Sequence, residues 1–138
     1  MKDKIQILVL DDEFIVCDRL KSSLEKLGFY VETFTESQAA LDRFAEHHFH
    51  IVISDLKMNA PDGMDVLRFV KGNSPRTRVI IVTGFATVDK AREAIKSGAA
   101  DFIAKPFKMS ELRDIVRRIA REFQTGLASS ESRNDDAL

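Results

Sequence analysis

Four places in the sequence put a reactive side chain directly after a short apolar run. Ile51-Val52-Ile53-Ser54 leads into Asp55, and Ile5 to Leu10 leads into Asp11 and Asp12. Val79-Ile80-Ile81-Val82 leads into Thr83, and Phe102-Ile103-Ala104 leads into Lys105. Bounded runs of this kind read as buried strands, so each polar residue stands at a strand's carboxyl end. The turn formers Asn59-Ala60-Pro61-Asp62-Gly63 follow Asp55, which sets it facing a crevice rather than a core. On one sheet edge these residues bring together three carboxylates, a hydroxyl and an ammonium. Carboxylates ~5 Å apart at an effective dielectric of ~20 repel by roughly 3 kcal/mol per pair. One lysine does not neutralise three acids, so a divalent cation is expected. Oxygen-only ligands with no His or Cys beside them select a hard ion, Mg²⁺ in the first place and Mn²⁺ as the alternative. Such an ion lets a phosphoryl group approach a carboxylate that would otherwise repel it. Asp55 is then a nucleophile able to form an aspartyl phosphate.

The elements that must hold these residues alternate. A first strand over Ile5 to Leu10 gives way at Phe14 to helical spacing (Val16 or Cys17, Leu20, Leu24, Leu27), stopped by Gly28. Phe29 to Phe34 alternates apolar and polar residues as an edge strand does. Glu36 or Ser37 opens a second helix carrying Ala40, Leu41, Phe44 and Ala45. After the Asp55 strand come a short helix (Met64, Val66, Leu67, Val70) stopped by Gly72-Asn73-Ser74-Pro75, and the strand Arg78 to Thr83. A fourth helix marked by Val88, Ala91, Ala94 and Ile95 ends at Ser97-Gly98, and Ala100 to Ala104 is a fifth strand. Leu112, Ile115, Val116, Ile119 and Phe123 define the clearest amphipathic helix. Strands alternating with helices require parallel pairing through right-handed crossovers, hence a doubly wound α/β sheet covered on both faces. The order 2-1-3-4-5, borrowed from known doubly wound folds, opens a crevice where strands 1 and 3 part.

Composition narrows the function. The 138 residues form one domain of ordinary size, assigned to 1–123, with 124–138 read as a disordered tail or the start of a linker. A single cysteine rules out a disulfide within the chain, and Cys17 reads as a small core residue. Twenty-one basic against 22 acidic side chains give no electrostatic case for direct nucleic-acid binding or for a membrane surface. The N-terminal apolar run stops at Asp11, far short of a signal peptide or a span, so a cytoplasmic location is expected. His47, His48 and His50 straddle a helix end and a strand start without a fourth ligand, which argues against zinc.

From about Ile5 to Phe123 the chain resembles the receiver domains of two-component response regulators. The carriers are Asp11-Asp12, Asp55-Leu56-Lys57-Met58 with Asp62-Gly63, Val82-Thr83-Gly84, and Asp101-Phe102-Ile103-Ala104-Lys105-Pro106-Phe107. The resemblance implies a flavodoxin-like (βα)5 fold and a phosphorelay module rather than an enzyme acting on other substrates. It implies that Asp55 accepts a phosphoryl group from a sensor histidine kinase or phosphotransfer protein. Asp12, Asp55 and the Lys57 carbonyl would hold Mg²⁺, with Asp11 acting through water. Lys105 would pair with Asp55, the Lys105-Pro106 bond would be cis, and Thr83 and Phe102 would act as switch residues. Lys57, Gly84 and Phe85 would govern access to the phosphoryl group, and a bulky Phe85 implies slow self-dephosphorylation. The remodelled face would be helix 4, strand 5 and helix 5. There Lys90, Arg92, Arg113, Arg117 and Arg118 would meet Asp101 or Glu93 of a second copy in a homodimer, or the face would control an output domain or partner. Asn59 stands where the family usually has proline. The chain is expected to be either a single-domain regulator or part of a longer one.

Two other classes fit less well. A haloacid-dehalogenase-like phosphohydrolase needs a second acid two residues past its nucleophile, where this chain has Lys57. A flavodoxin-like flavin module wants a Ser/Thr/Gly-rich phosphate loop after the first strand, where this chain has acids that repel phosphate.

Overall fold

The computed structural model describes residues 4–125. Its elements follow in strict alternation: β1 (Gln6–Leu10), α1 (Phe14–Glu25), β2 (Tyr30–Phe34), α2 (Ser37–Glu46), β3 (Ile51–Ser54), α3 (Gly63–Asn73), β4 (Arg78–Thr83), α4 (Val88–Lys96), β5 (Asp101–Ala104) and α5 (Met109–Gln124). The five strands form one sheet in the order β2-β1-β3-β4-β5, and all four pairings are parallel. This is the flavodoxin-like doubly wound (βα)5 fold that the alternation requires.

Side-chain alternation in the strands divides the core between the two faces of the sheet. Ile7, Val9, Ile51, Ile53, Ile80 and Val82 point to the side covered by α1 and α5, against Cys17, Leu20, Leu112, Val116 and Ile119. Leu8, Leu10, Val52, Val79 and Ile81 point to the other side, against Ala40 and Phe44 of α2 and Val66, Leu67 and Val70 of α3. The central strands are buried on both faces, which is why they read as nearly continuous apolar runs. Gly28 and Gly98 follow α1 and α4 with φ of 92° and 108°, the left-handed conformation that stops a helix most cheaply at glycine.

Three helices add detail to the expectation. Helix α3 ends inside the expected Gly72-Asn73-Ser74-Pro75 stretch, at Asn73, whose side-chain amide donates to the Phe69 carbonyl. The apolar positions of α4 do mark a helix, but only Ala94 is buried. Val88 and Ile95 are 67% and 51% exposed, and of this nine-residue helix Ala94 alone enters the core. Helix α5 continues to Gln124, one residue beyond the expected domain end. The expected tail lies, from residue 126 on, outside the described residues. No helix among the described residues is long and apolar enough to cross a membrane.

Candidate functional site

Register puts the reactive residues side by side. Leu10 pairs with Ser54 across β1 and β3, and the Asp55 amide donates to the Leu10 carbonyl at 2.9 Å. Asp11 and Asp55, the next residue on each strand, therefore leave the sheet together. One carboxylate oxygen from each of Asp11, Asp12 and Asp55 lies within 4.8 Å of the others. Asp11 and Asp55 are buried and Asp12 is exposed. Thr83 at the end of β4 pairs with Ala104 of β5, and the Lys105 amide donates to the Thr83 carbonyl, so β5 delivers Lys105 to the same edge. Its ammonium donates to Asp11 Oδ2 at 2.6 Å and to Asp55 Oδ2 at 3.0 Å, with Glu13 at 3.6 Å. The Lys105-Pro106 peptide is cis, and Ala60-Pro61 is cis as well.

The charges here are not balanced. Three carboxylates face one ammonium, which leaves two formal negative charges. Burial pushes the Asp11 carboxyl above its usual range, against the pull of Lys105 and of the Glu13 amide that donates to its Oδ1. Burial would depress Lys105, but its hydrogen bonds to Asp11 and Asp55 outweigh that and hold it above the ordinary lysine value. A buried acid kept hard to ionise beside two others, all offering oxygen, is the donor set a hard divalent cation fits.

The remaining expected residues surround this centre. The Lys57 amide donates to Asp55 Oδ1 at 3.2 Å, and its side-chain ammonium lies 3.9 Å from the centroid of the Phe85 ring. Thr83 is fully buried, and its hydroxyl accepts from the Phe85 amide at 3.1 Å. Phe102 is half-buried against the α2–α3–α4 core. A Cβ built on Gly84 meets nothing within 4 Å.

Three features went unread in the sequence. Lys105 binds Asp11 more closely than Asp55. Gly63 is pressed against the turn after Asp55, where a Cβ would stand 2.3 Å from the Asp55 carbonyl and 2.4 Å from Leu56 Cα. The reciprocal Asp62–Asp65 capping box that starts α3 there was signalled by the acid-x-x-acid spacing. Third, acids expected to reach a second copy have partners in their own chain: Asp101 is 3.4 Å from Arg118, and Glu93 is 3.3 Å from Arg68. The histidines lie at the opposite edge of the sheet, where His47 Nε2 meets Gln6 Oε1 and His50 Nδ1 accepts from the Gln6 amide. Cys17 is buried with its thiol toward the Asp11 and Phe34 carbonyls, and burial raises its pKa.

Residues 7–117 match the family model described as response regulator receiver domain. The regulatory protein AtoC of Escherichia coli is 36% identical over 113 residues, which cover 82% of this chain and 24% of AtoC. The transcriptional regulatory protein FixJ of Bradyrhizobium diazoefficiens is 34% identical over 137 residues, 99% of this chain and 67% of FixJ. The chain thus spans about a quarter of the first of these relatives and about two thirds of the second. Among solved structures, a response regulator receiver domain protein from Clostridium thermocellum is 34% identical with a TM-score of 0.80, covering 87% of this chain and 97% of that one. The beryllofluoride-activated NtrC4 receiver domain dimer is 33% identical with a TM-score of 0.80, covering 86% and 98%.

Proposed function

This chain belongs to the response regulator receiver domain family, and we propose that Asp55 is the residue on which it accepts a phosphoryl group from a histidine kinase or phosphotransfer protein. The observation that carries this reading is the meeting of three carboxylates within 4.8 Å under a lysine that bridges the two buried ones. In the transfer, an Asp55 carboxylate oxygen forms the new O–P bond while the donor's N–P bond breaks. The leaving nitrogen takes the electron pair and then a proton. Asp11, Asp12 and Asp55, with the Lys57 carbonyl, are the residues that would hold Mg²⁺, or Mn²⁺ in its place; when bound it supplies the positive charge this site lacks. Lys105 remains at hydrogen-bonding distance of Asp55 and serves a phosphoryl oxygen there. Thr83, whose hydroxyl oxygen accepts from the Phe85 amide, donates its proton to a phosphoryl oxygen, and Phe102 responds on β5. Lys57, Gly84 and Phe85 frame the approach to Asp55, and Phe85 shields the phosphate from in-line water. The chemistry is performed on the protein itself, in the cytoplasm where the kinase acts, and the result controls an output domain or partner.

The phosphohydrolase alternative lacks its second acid, and the position that would hold it carries Lys57, turned onto the Phe85 ring. The test of the acceptor is incubation with a small phosphodonor, with and without Mg²⁺. Mass rises by one phosphoryl group only with the metal, and Asp55→Asn abolishes the gain; equal labelling of that variant would sink the assignment.

Self-association on activation belongs to the same reading, supported by the dimer named for the NtrC4 receiver. The face is α4, β5 and α5, where Val88 and Ile95 add exposed apolar surface to the charges. Sedimentation with beryllofluoride and Mg²⁺ is expected to shift toward dimer, less so in high salt or with Asp101→Ala. An unchanged monomer at high concentration retires the dimer and leaves this face to another protein.

A further inference from the structure

Lys57 and Phe85 each make two contacts that, taken together, describe a latch. Through its backbone amide, Lys57 holds Oδ1 of Asp55 at 3.2 Å. Through its own backbone amide, Phe85 holds the Thr83 hydroxyl at 3.1 Å. The side chains of these same two residues then meet each other, the Lys57 ammonium lying 3.9 Å from the Phe85 ring centroid. The contact joins the loop after β3 to the loop after β4, across the mouth of the acidic site. Among the described residues, Asp11, Glu13 and Asp55 pair with Lys105, and no carboxylate lies within ion-pair distance of the Lys57 ammonium. Phe85 is 52% exposed, an unfavourable setting for an aromatic ring that the lysine partly offsets.

We infer that the Lys57–Phe85 cation–π contact is a latch that holds Thr83 and Asp55 in the resting arrangement and must open before a phosphoryl group on Asp55 can engage the Thr83 hydroxyl. The inference rests on Asp55 being the acceptor. A group growing from Asp55 enters the mouth that the clasped side chains span. Movement of Thr83 toward that group draws on the loop that carries Phe85. A contact present only in the resting state lowers the apparent affinity for an activating ligand by the fraction of molecules it keeps closed. Lys57 and Phe85 are therefore positioning residues: they set how much of the population is ready, and neither forms or breaks a bond.

Beryllofluoride with Mg²⁺ is the probe, titrated against the parent, Phe85→Leu, Phe85→Tyr, Lys57→Met, Lys57→Arg and the Lys57→Met/Phe85→Leu pair. Phe85→Leu keeps bulk but loses the π face, and should bind roughly two- to fivefold more tightly, the scale of one exposed cation–π contact. Phe85→Tyr and Lys57→Arg retain the contact and should behave as the parent does. In the Lys57→Met background, Phe85→Leu should change nothing further, because its partner is already gone. Hydrogen exchange of the residue-85 amide is measured alongside, without any ligand, and should quicken in Lys57→Met and not in Lys57→Arg. A gain from Phe85→Leu that is as large in the Lys57→Met background as in the parent, or a Phe85→Tyr that behaves like Phe85→Leu, overturns the latch. So does an exchange rate at residue 85 that is the same in Lys57→Met as in the parent. A parent that fails to bind beryllofluoride would count instead against Asp55 as acceptor, since the exchange measurement reads the latch without it.

Discussion

Two short carboxylate–cation pairs in this molecule behave in opposite ways. On the β2–α2 surface, Glu32 takes two hydrogen bonds from Arg43 at 2.8 Å and a third from the Tyr30 hydroxyl, and Arg43 pushes the Glu32 carboxyl down to about 2 against the opposing effect of burial. At the strand ends, Asp11 has an even shorter contact with Lys105, 2.6 Å, yet its carboxyl is pushed up. The distance to the cation does not decide the matter. Glu32 takes two hydrogen bonds from a guanidinium near solvent whose remaining nitrogen reaches the exposed Glu46 at 3.2 Å, whereas Asp11 is buried, shares one ammonium with Asp55 and lies beside Asp12. The first arrangement is finished by its own residues and serves stability. The second is left short of positive charge, which is the mark of a site built to receive something else.

The largest effect expected within the site comes from backbone packing. Gly63→Ala should cost about 3 kcal/mol, because its Cβ would stand 2.3 Å from the Asp55 carbonyl and one side or the other must move. Gly84→Ala, in open space at the same mouth, should lie within about 0.5 kcal/mol of the parent. Denaturant midpoints distinguish the two, and equal losses would show that the turn after Asp55 is not held by Gly63.

Neutralising one acid of each pair sharpens the contrast. Asp11→Asn should stabilise the protein at neutral pH by about 1 kcal/mol, because a carboxyl whose folded pKa is raised makes a contribution that is lost as pH rises through that value. Glu32→Gln should destabilise it, by less than about 1 kcal/mol. The Glu32 contribution is present above the ordinary glutamate range and lost as pH falls from there toward about 2, so the variant should lack that limb of the acid unfolding curve. Thermal unfolding across pH measures both. Changes of the same sign at neutral pH would erase the distinction between a completed pair and an incomplete one.

What the sequence could and could not tell follows from the range of the interactions. Asp55, Asp12, Thr83 and Lys105 were legible because each ends an apolar run, and strand ends collect on one edge once the sheet is parallel. Val88 and Ile95 were legible as helix but not as surface, because periodicity reports a stripe and not what lies against it. The choice of Asp11 as the nearer partner of Lys105 depends on the register of strands 94 residues apart. The Lys57–Phe85 contact depends on how two loops face each other, which no spacing along the chain encodes.

Everything proposed for this site depends on where a phosphoryl group attaches. Phosphorylating the protein with a small phosphodonor and Mg²⁺, reducing the acyl phosphate with borohydride and sequencing the peptides by mass would place the modified residue. Reduction products at residue 55 alone are the expected result. Products at residue 11 or 12, or at no aspartate of this cluster, would contradict the reading of Asp55 as the acceptor at the centre of an incompletely neutralised site.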